Sequence, residues 1–452
     1  MDKKLTKEEL IEKAKKPAKD AMKMHPFYKG KIAVTPKCVV RDINDFAIWY
    51  TPGVAAVCTD IYNNPEKVYE HTNKANMVAV VSDGTRVLGL GDIGPHAGIP
   101  VMEGKALIFK YLGGVDAFPI CLDTKDPDEI IKTVKLISPV FGGINLEDIS
   151  QPKCFRILDE LRVESKIPVW HDDQQGTATV TLAGLINALK IVEKEMNEVT
   201  VTMVGAGAAN ICISKLIIKA GVDPNKMLMV DSRGILSKNR VELKEQFKEK
   251  WEMANLTNPD CIQGGIEEAL KGRDVVIALS TPGPDVIKKE WISSMSKDAI
   301  VFVCANPIPE IWPWEAKEAG ARIVATGRSD FPNQVNNSLG FPGIFRGVLD
   351  VMATKITDEM CIAAATELAK CAEDKGLSED YLIPTMDEWK VFPREAVAVA
   401  RCAIEQGVAR LNFTDEELYK MAEDRIRTAR EELHLLMEKQ IIPPYIEEEN
   451  VK

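Results

Sequence analysis

Val199-Thr-Val-Thr-Met-Val204 runs straight into Gly205-Ala-Gly207-Ala208-Ala209-Asn210, and the residues from there to Ala220 carry apolar side chains at helical spacing. A β-branched strand, a glycine turn and a helix in that order open a dinucleotide-binding βαβ unit. Such a turn aims backbone N–H groups and the helix N-terminus at a pyrophosphate. Asp231 ends the next apolar run, about where a ribose-hydroxyl partner is needed, ~20 residues on. Asn210 replaces the third glycine, which normally lets helix and strand pack closely, so a wider turn or a displaced helix is expected. Gly205, Gly207, Ala208, Ala209 and Asp231 are candidate cofactor contacts, with Ser232 and Arg233 directly after. A strict GxGxxG stands elsewhere, as Gly89-Leu-Gly91-Asp-Ile-Gly94. Pro95, Gly98 and Pro100 follow it and are not expected to open a helix, so the imperfect copy is the better fingerprint.

Working outward, runs at 275–279, 300–304 and 322–325 read as further strands of the same α/β block. Upstream, 77–81, 115–122, 141–146 and 167–171 read as strands, with helices at 128–136, 153–164 and 176–190. Strand–helix–strand spacing this short implies parallel pairing with crossover helices. From about residue 345 the text is helical, and Thr414 and Glu417 have capping-box spacing ahead of a long charged helix. Thr6 and Glu9 repeat that spacing before a helical lead-in that Pro17 should break or kink and His25-Pro26 should end. The fold class is α/β: a substrate- and metal-binding α/β domain over 1–190, a Rossmann NAD(P)-binding domain over 191–345, and a C-terminal helical segment over 346–452.

With 45% hydrophobic and 28% charged residues the chain is globular, and its net charge of −11 argues against nucleic acid or an anionic membrane as partner. No apolar run is long enough to span a bilayer. Ten cysteines are scattered without a CxxC pair, which disfavours thiolate–metal and disulfide frameworks and fits a reducing compartment. The N-terminus has neither the apolar region of a signal peptide nor the composition of a transit peptide. A cytoplasmic location is expected.

Three acidic groups, Asp123, Glu147-Asp148 and Asp172-Asp173, each follow a predicted strand. In open parallel sheets ligands bind beyond those strand ends. Glu147, Asp148 and Asp173 offer hard oxygen ligands without neighbouring His or Cys pairs, which suits Mg²⁺ or Mn²⁺. The alternative is a set of solvated loop acids. Lys105 reads as opening an apolar helix, where burial would lower its pKa and make it a base; most such lysines snorkel to solvent instead. Tyr50 precedes a Pro-Gly turn and is either a site hydroxyl or packing.

Taken together, Tyr50-Thr-Pro-Gly-Val-Ala, Val87-Leu-Gly-Leu-Gly-Asp-Ile-Gly, Glu103-Gly-Lys-Ala, Asn145-Leu-Glu-Asp-Ile, His171-Asp-Asp-Gln-Gln-Gly-Thr-Ala, Ala305-Asn-Pro-Ile-Pro-Glu-Ile and Asn333-Gln-Val-Asn-Asn-Ser-Leu-Gly-Phe-Pro-Gly resemble, in order, the signatures of malic enzymes of the short prokaryotic type. The resemblance implies metal-dependent oxidative decarboxylation of L-malate to pyruvate and CO2 with NAD or NADP. It makes Lys105 the general base, Tyr50 the acid that protonates the enol, and Asp172 the group that tunes Lys105. Glu147, Asp148 and Asp173 become the ligands of Mg²⁺ or Mn²⁺. Asn306 and Asn337 hold substrate, with Asn306 and Asn336 also toward the cofactor. Arg86 matches a substrate-binding arginine of large-type members, where short-type members often carry a small residue. A homodimer is implied in the same way. Alternatives are an amino-acid dehydrogenase, which needs no metal, a redox-neutral malate or oxaloacetate decarboxylase, and a non-catalytic dinucleotide sensor. Asp231 favours NAD by repelling a 2′-phosphate, whereas Arg233 suits that phosphate; Lys238 and Lys248 are further candidate phosphate contacts.

Overall fold

The structure, a computed structural model, describes residues 7–445, with side chains from residue 16 onward. Helix α1 (Lys7–Tyr28) leads into short helices at Asp45–Trp49 and Val54–Asn63. Helix α1 is not broken at Pro17, and contrary to expectation it continues through Pro26 to Tyr28. A proline deletes one helical hydrogen bond, and the turns on either side keep theirs. The Thr6 cap lies outside the described residues.

The first sheet is built from β1 (Met77–Ser82), α2 (Gly94–Gly113), β2 (Asp116–Cys121), α3 (Pro127–Ile137), β3 (Gly143–Leu146), α4 (Lys153–Glu164) and β4 (Val169–His171). Its strands are parallel in the order β2-β1-β3-β4. β1 is buried from Val78 onward, as expected of a parallel strand covered on both faces. Its neighbours leave in opposite directions, which opens a crevice beyond its carboxyl end.

Helix α2 corrects two expectations. It begins at Gly94 and contains Pro95, Gly98 and Pro100, so the strict glycine motif does open a helix. Pro95 falls in the first turn, where its missing N–H has no helical partner to lose. The buried face of Met102, Ala106, Phe109 and Leu112 supports the rest. Lys105 therefore sits in mid-helix rather than at its start. The motif is still no dinucleotide turn, because the loop from Asp83 to Ile93 separates it from β1. A Cβ at Gly89 would lie 2.7 Å from the Asn306 carbonyl oxygen, so this glycine lets two loops meet.

Helix α5 (Thr177–Ile191) is buried almost all round and joins the two sheets, with Gly184 against the Phe302 ring. The second sheet comprises β5 (Val201–Val204), α6 (Ala208–Lys219), β6 (Met227–Asp231), β7 (Gly234–Ile235), α7 (Lys248–Leu256), β8 (Val275–Ala278), β9 (Ile300–Val303) and β10 (Ile323–Thr326). Its order is β10-β9-β8-β5-β6-β7, parallel except for β7 against β6. This is a Rossmann-like arrangement, with its reversal of strand order at β5.

Helices α8 (Phe341–Asp350), α9 (Asp358–Lys375), α10 (Val391–Glu405) and α11 (Asp415–Glu438) complete the chain, with the Thr414/Glu417 capping box formed as read. α8 and α11 pack on α2, and α9 packs on α5. The Asn187 amide on α5 donates to the carbonyls of Ala369 and Leu382 at 2.8 Å each. Gly347 allows α8 to lie on α10, since a Cβ there would sit 2.5 Å from the Ala396 carbonyl oxygen. Among the described residues no helix is long and apolar enough to cross a membrane.

Glu395, on α10 beside Gly343, is fully buried, and among the described residues neither carboxyl oxygen has a hydrogen-bond partner. Burial pushes its carboxyl well above the ordinary range. The folded state therefore holds a proton that the unfolded chain releases above its ordinary carboxyl pKa, so this residue lowers stability as pH rises toward the folded value. Glu395→Gln, which never has to take up that proton, should raise the melting temperature at pH 8 and leave a smaller difference at pH 5. Parallel melting curves that stay equally spaced across that range would refute this account.

Candidate functional site

The crevice beyond β1, β3 and β4 collects the polar side chains. Pairing of β3 with β1 carries on past Leu146, with Glu147 N donating to Val81 O at 2.9 Å, which turns Glu147 into the crevice. Asp148 follows in the left-handed region at φ 55°, a conformation an aspartate tolerates but seldom holds without local constraint. Here the Arg86 backbone N–H donates to its carbonyl oxygen at 2.9 Å, and its own N–H donates to Asp173 Oδ2 at 2.8 Å. β4 ends in a single π-helical turn, Asp172–Gly176. Gly176 is required there, because a Cβ would collide with the Asp172 carboxylate.

Lys105 reaches across from α2. Its ammonium donates to Asp172 Oδ2, pairs with Glu147 Oε1 at 3.3 Å and donates to Asn337 Oδ1 at 3.3 Å. It also lies 4.6 Å from the centre of the Phe341 ring. Trp170 Nε1 donates to the other Asp172 oxygen at 3.1 Å, and the Asn145 amide to Glu147 Oε2 at 2.9 Å. Behind the turn His171 is fully buried and held neutral, its pKa pulled down to about 4 by loss of hydration.

Loss of hydration pushes all four carboxyls above their ordinary range, and repulsion from neighbouring carboxylates adds to it at Glu147, Asp148 and Asp172, leaving Glu147 far above and Asp148 up to about 8. Burial alone would lower Lys105, as expected from sequence. The adjoining charges of Asp172, Glu147 and Asp173 outweigh it, and the lysine ends above its ordinary value. Four carboxylates around one ammonium leave a surplus of negative charge in a water-poor pocket. Glu147, Asp148 and Asp173 each present one oxygen, all within 4.8 Å of one another, and among the described residues Asp148 Oδ2 is buried without a hydrogen-bond partner. That donor set fits a hard divalent cation. Asp123 is not part of it: it is exposed after the edge strand β2.

Of the remaining expected residues, Asn337 joins the cluster, whereas Asn336 Oδ1 accepts from Ser338 N at 2.9 Å and caps the turn that delivers it. Asn306 is exposed on the loop after β9 that faces Gly89. The exposed Arg86 side chain contributes positive charge beside Asp173. Tyr50 is not brought in: its side chain is 71% exposed, and among the described residues its hydroxyl has no hydrogen-bond partner.

At the nucleotide turn Gly205 has φ 100°, and a Cβ there would lie 2.5 Å from the Leu279 carbonyl oxygen. A Cβ at Gly207 would meet nothing within 4 Å, so the turn presents open backbone at the start of α6, as a pyrophosphate requires. Asn210 is fully buried, and its amide donates to the carbonyls of Val204 and Gly205 at 2.8 Å each. The residue that departs from the fingerprint thus sutures strand, turn and helix together. Asp231 stands at the end of β6 as read, but held by Arg240 and Lys250, which sequence reasoning missed. Lys248 points elsewhere. It lines a cavity of about 240 Å³ with Phe155, Arg162 and Gln174, because a step of two residues on a helix turns a side chain to the far side.

The family profile described as "Malic enzyme, NAD binding domain" matches residues 174–404, and "Malic enzyme, N-terminal domain" matches 29–127 and 124–162. The chain is 51% identical over 399 residues to the "Bifunctional malic/malolactic enzyme" of Bacillus subtilis, covering 88% of this chain and 96% of that protein. It is 52% identical over 381 residues to the "NAD-dependent malic enzyme" of Geobacillus stearothermophilus, covering 84% and 78%. Among solved structures, the malic enzyme of Entamoeba histolytica superposes with a TM-score of 0.95 at 52% identity, over 98% of this chain and 93% of that one. The enzyme from Pyrococcus horikoshii gives 0.89 at 49% identity, over 94% and 99%. With both halves matched and relatives covered along most of their length, this chain belongs to the malic enzyme family.

Proposed function

We propose that the chain catalyses the oxidative decarboxylation of L-malate to pyruvate and CO2 with reduction of NAD(P)⁺. The observation that carries this reading is the Lys105–Asp172–Glu147 contact beside three convergent oxygen ligands, in a family whose second half is a nucleotide-binding domain. The work divides among residues 1–190 for substrate and metal, 191–345 for the dinucleotide and 346–452 for the helical cover.

In this reading Lys105 removes the proton from the C2 hydroxyl as the C2 hydrogen departs with its electron pair. The resulting β-keto acid breaks its C3–C4 bond to release CO2, and Tyr50 returns a proton to C3 of the enolate. Asp172 orients Lys105 and stabilises it as an ammonium once the proton has arrived. Asn337, donating its amide while its oxygen holds Lys105, positions substrate, with Asn306 and Arg86 at the rim. A divalent cation on Glu147, Asp148 and Asp173 would supply Lewis acidity toward the substrate oxygens and offset the charge that otherwise keeps Lys105 protonated. Dinucleotide on the Gly205–Ala209 turn would supply the hydride acceptor.

Tyr50 reaches no such site within one chain. It belongs to an arm with exposed Met22, Val34, Ile43, Trp49 and Tyr62. So many large apolar side chains exposed along one segment favour an interface, and we assign it to a second copy in a homodimer. Sedimentation at micromolar concentration should then give twice the chain mass; a monomer would remove that assignment. The ten free cysteines accord with a reducing, cytoplasmic setting.

Purified protein given L-malate, Mn²⁺ and NAD⁺ or NADP⁺ should raise absorbance at 340 nm with pyruvate as product. Malate consumed with lactate formed and no net absorbance change would favour the redox-neutral reading, which the printed name of the B. subtilis relative makes worth testing. No product with any cofactor would overturn both.

A further inference from the structure

Asp231 at the ribose end of the nucleotide site looks in sequence like an acid that rejects a 2′-phosphate. Its surroundings reverse that. Oδ1 accepts from the Arg233 backbone N–H at 2.9 Å and from Arg240 Nη1 at 2.7 Å. Oδ2 accepts from Arg240 Nη2 and from Lys250 Nζ, each at 3.2 Å. Arg240 and Lys250 come from beyond β7 and from α7, and their side chains are only 15% and 14% exposed. Both oxygens are therefore occupied twice, and one carboxylate is matched by two half-sequestered cations. Glu242 takes part of the Arg240 charge at 3.1 Å, and among the described residues no second acid pairs with Lys250, whose ammonium otherwise lies 4.7 Å from the Phe247 ring.

Two residues past Asp231 the Arg233 side chain is exposed, and among the described residues it has no ion-pair partner. Ser232, equally exposed, stands between them. An acid whose charge is cancelled, next to a hydroxyl and an exposed guanidinium that only the longer-range field of Glu242 touches, has the composition of a phosphate-recognising corner, since guanidinium geometry matches phosphate oxygens. A bare Asp would instead repel that group and accept a ribose hydroxyl.

We propose that this corner is built for the 2′-phosphate of NADP⁺, with Arg233 as the phosphate contact and Arg240 and Lys250 as the positioning residues that neutralise Asp231. The inference rests on the reading of Gly205–Ala209 as the dinucleotide turn and names the cofactor that turn takes. It is independent of whether malate is the substrate.

Calorimetric titration of the full chain with adenosine 2′,5′-bisphosphate and with adenosine 5′-monophosphate tests it without turnover. The bisphosphate should bind at least about tenfold more tightly, the scale of one charge-assisted contact, and the advantage should shrink as salt is raised. Arg233→Gln should remove most of that advantage. Lys250→Met, which exposes more of the Asp231 charge, should narrow it, and kcat/KM for NADP⁺ relative to NAD⁺ should fall in both variants. Equal binding of the two nucleotides, or an Arg233→Gln protein with undiminished preference, overturns the proposal and leaves the dinucleotide turn standing. Failure of both nucleotides to bind overturns the proposal and the turn assignment together, whatever the protein does to malate.

Discussion

Lys105→Met is expected to lower kcat for malate oxidation by about 10²–10⁴-fold, the range for loss of a positioned general base, with nucleotide binding retained. The substitution keeps the length of the side chain and its packing on Phe341 but removes the ammonium that Asp172 and Glu147 share. Those carboxylates are then buried without a cation. Breaking a buried pair in this way typically costs about 3–5 kcal/mol, so the melting temperature without metal should fall as well. The two effects separate by adding Mn²⁺, which should recover much of the stability and none of the lost kcat. Decarboxylation of added oxaloacetate needs no proton taken from a C2 hydroxyl and should suffer far less than malate oxidation. Equal losses in both reactions would show that Lys105 acts structurally rather than as the base.

The second large effect concerns the carboxylate triad. EDTA should abolish turnover, and Mg²⁺ or Mn²⁺ should restore it. A cation at a hundred times its dissociation constant stabilises the folded state by about 2.7 kcal/mol, so the native protein should melt higher with metal than without. Glu147→Gln and Asp173→Asn remove a buried acid and reduce the repulsion that helps raise the carboxyls of Glu147, Asp148 and Asp172 without metal. Their metal-free forms should therefore melt at or above the native metal-free protein, while the metal-induced rise disappears. Unchanged turnover in EDTA would overturn the metal assignment. A variant that keeps the full metal-induced rise would clear that residue of a ligand role.

Much of this architecture is legible in the sequence for identifiable reasons. Parallel strands covered on both faces must be apolar along their length, so β1, β6 and β8 show as short runs of Val, Met, Ile and Leu bounded by turns. The β5–α6 turn is readable because its glycines meet steric demands that few other residues satisfy. β7 escapes notice because two residues establish no period. Helix α2 is misread because prolines look like breakers, although the first turn tolerates Pro95 and the buried face carries the helix past Pro100.

The sequence by itself determined the order of strands and helices, the residue types gathered beyond the first sheet, and the family. These follow from local periodicity, turn sterics and the chemistry of the side chains. Tertiary structure alone decided how those side chains act on one another. Burial by itself would make Lys105 a weak base-holder of low pKa, yet three carboxylates from two other strand ends raise it. Asp123 follows a strand as the others do, but β2 lies at the sheet edge and leaves it in water. Asp231 becomes a neutralised acid through Arg240 and Lys250, nine and nineteen positions away in the chain. A pKa or an ion pair depends on distance and on exclusion of water, and both are set only when separate segments are packed together.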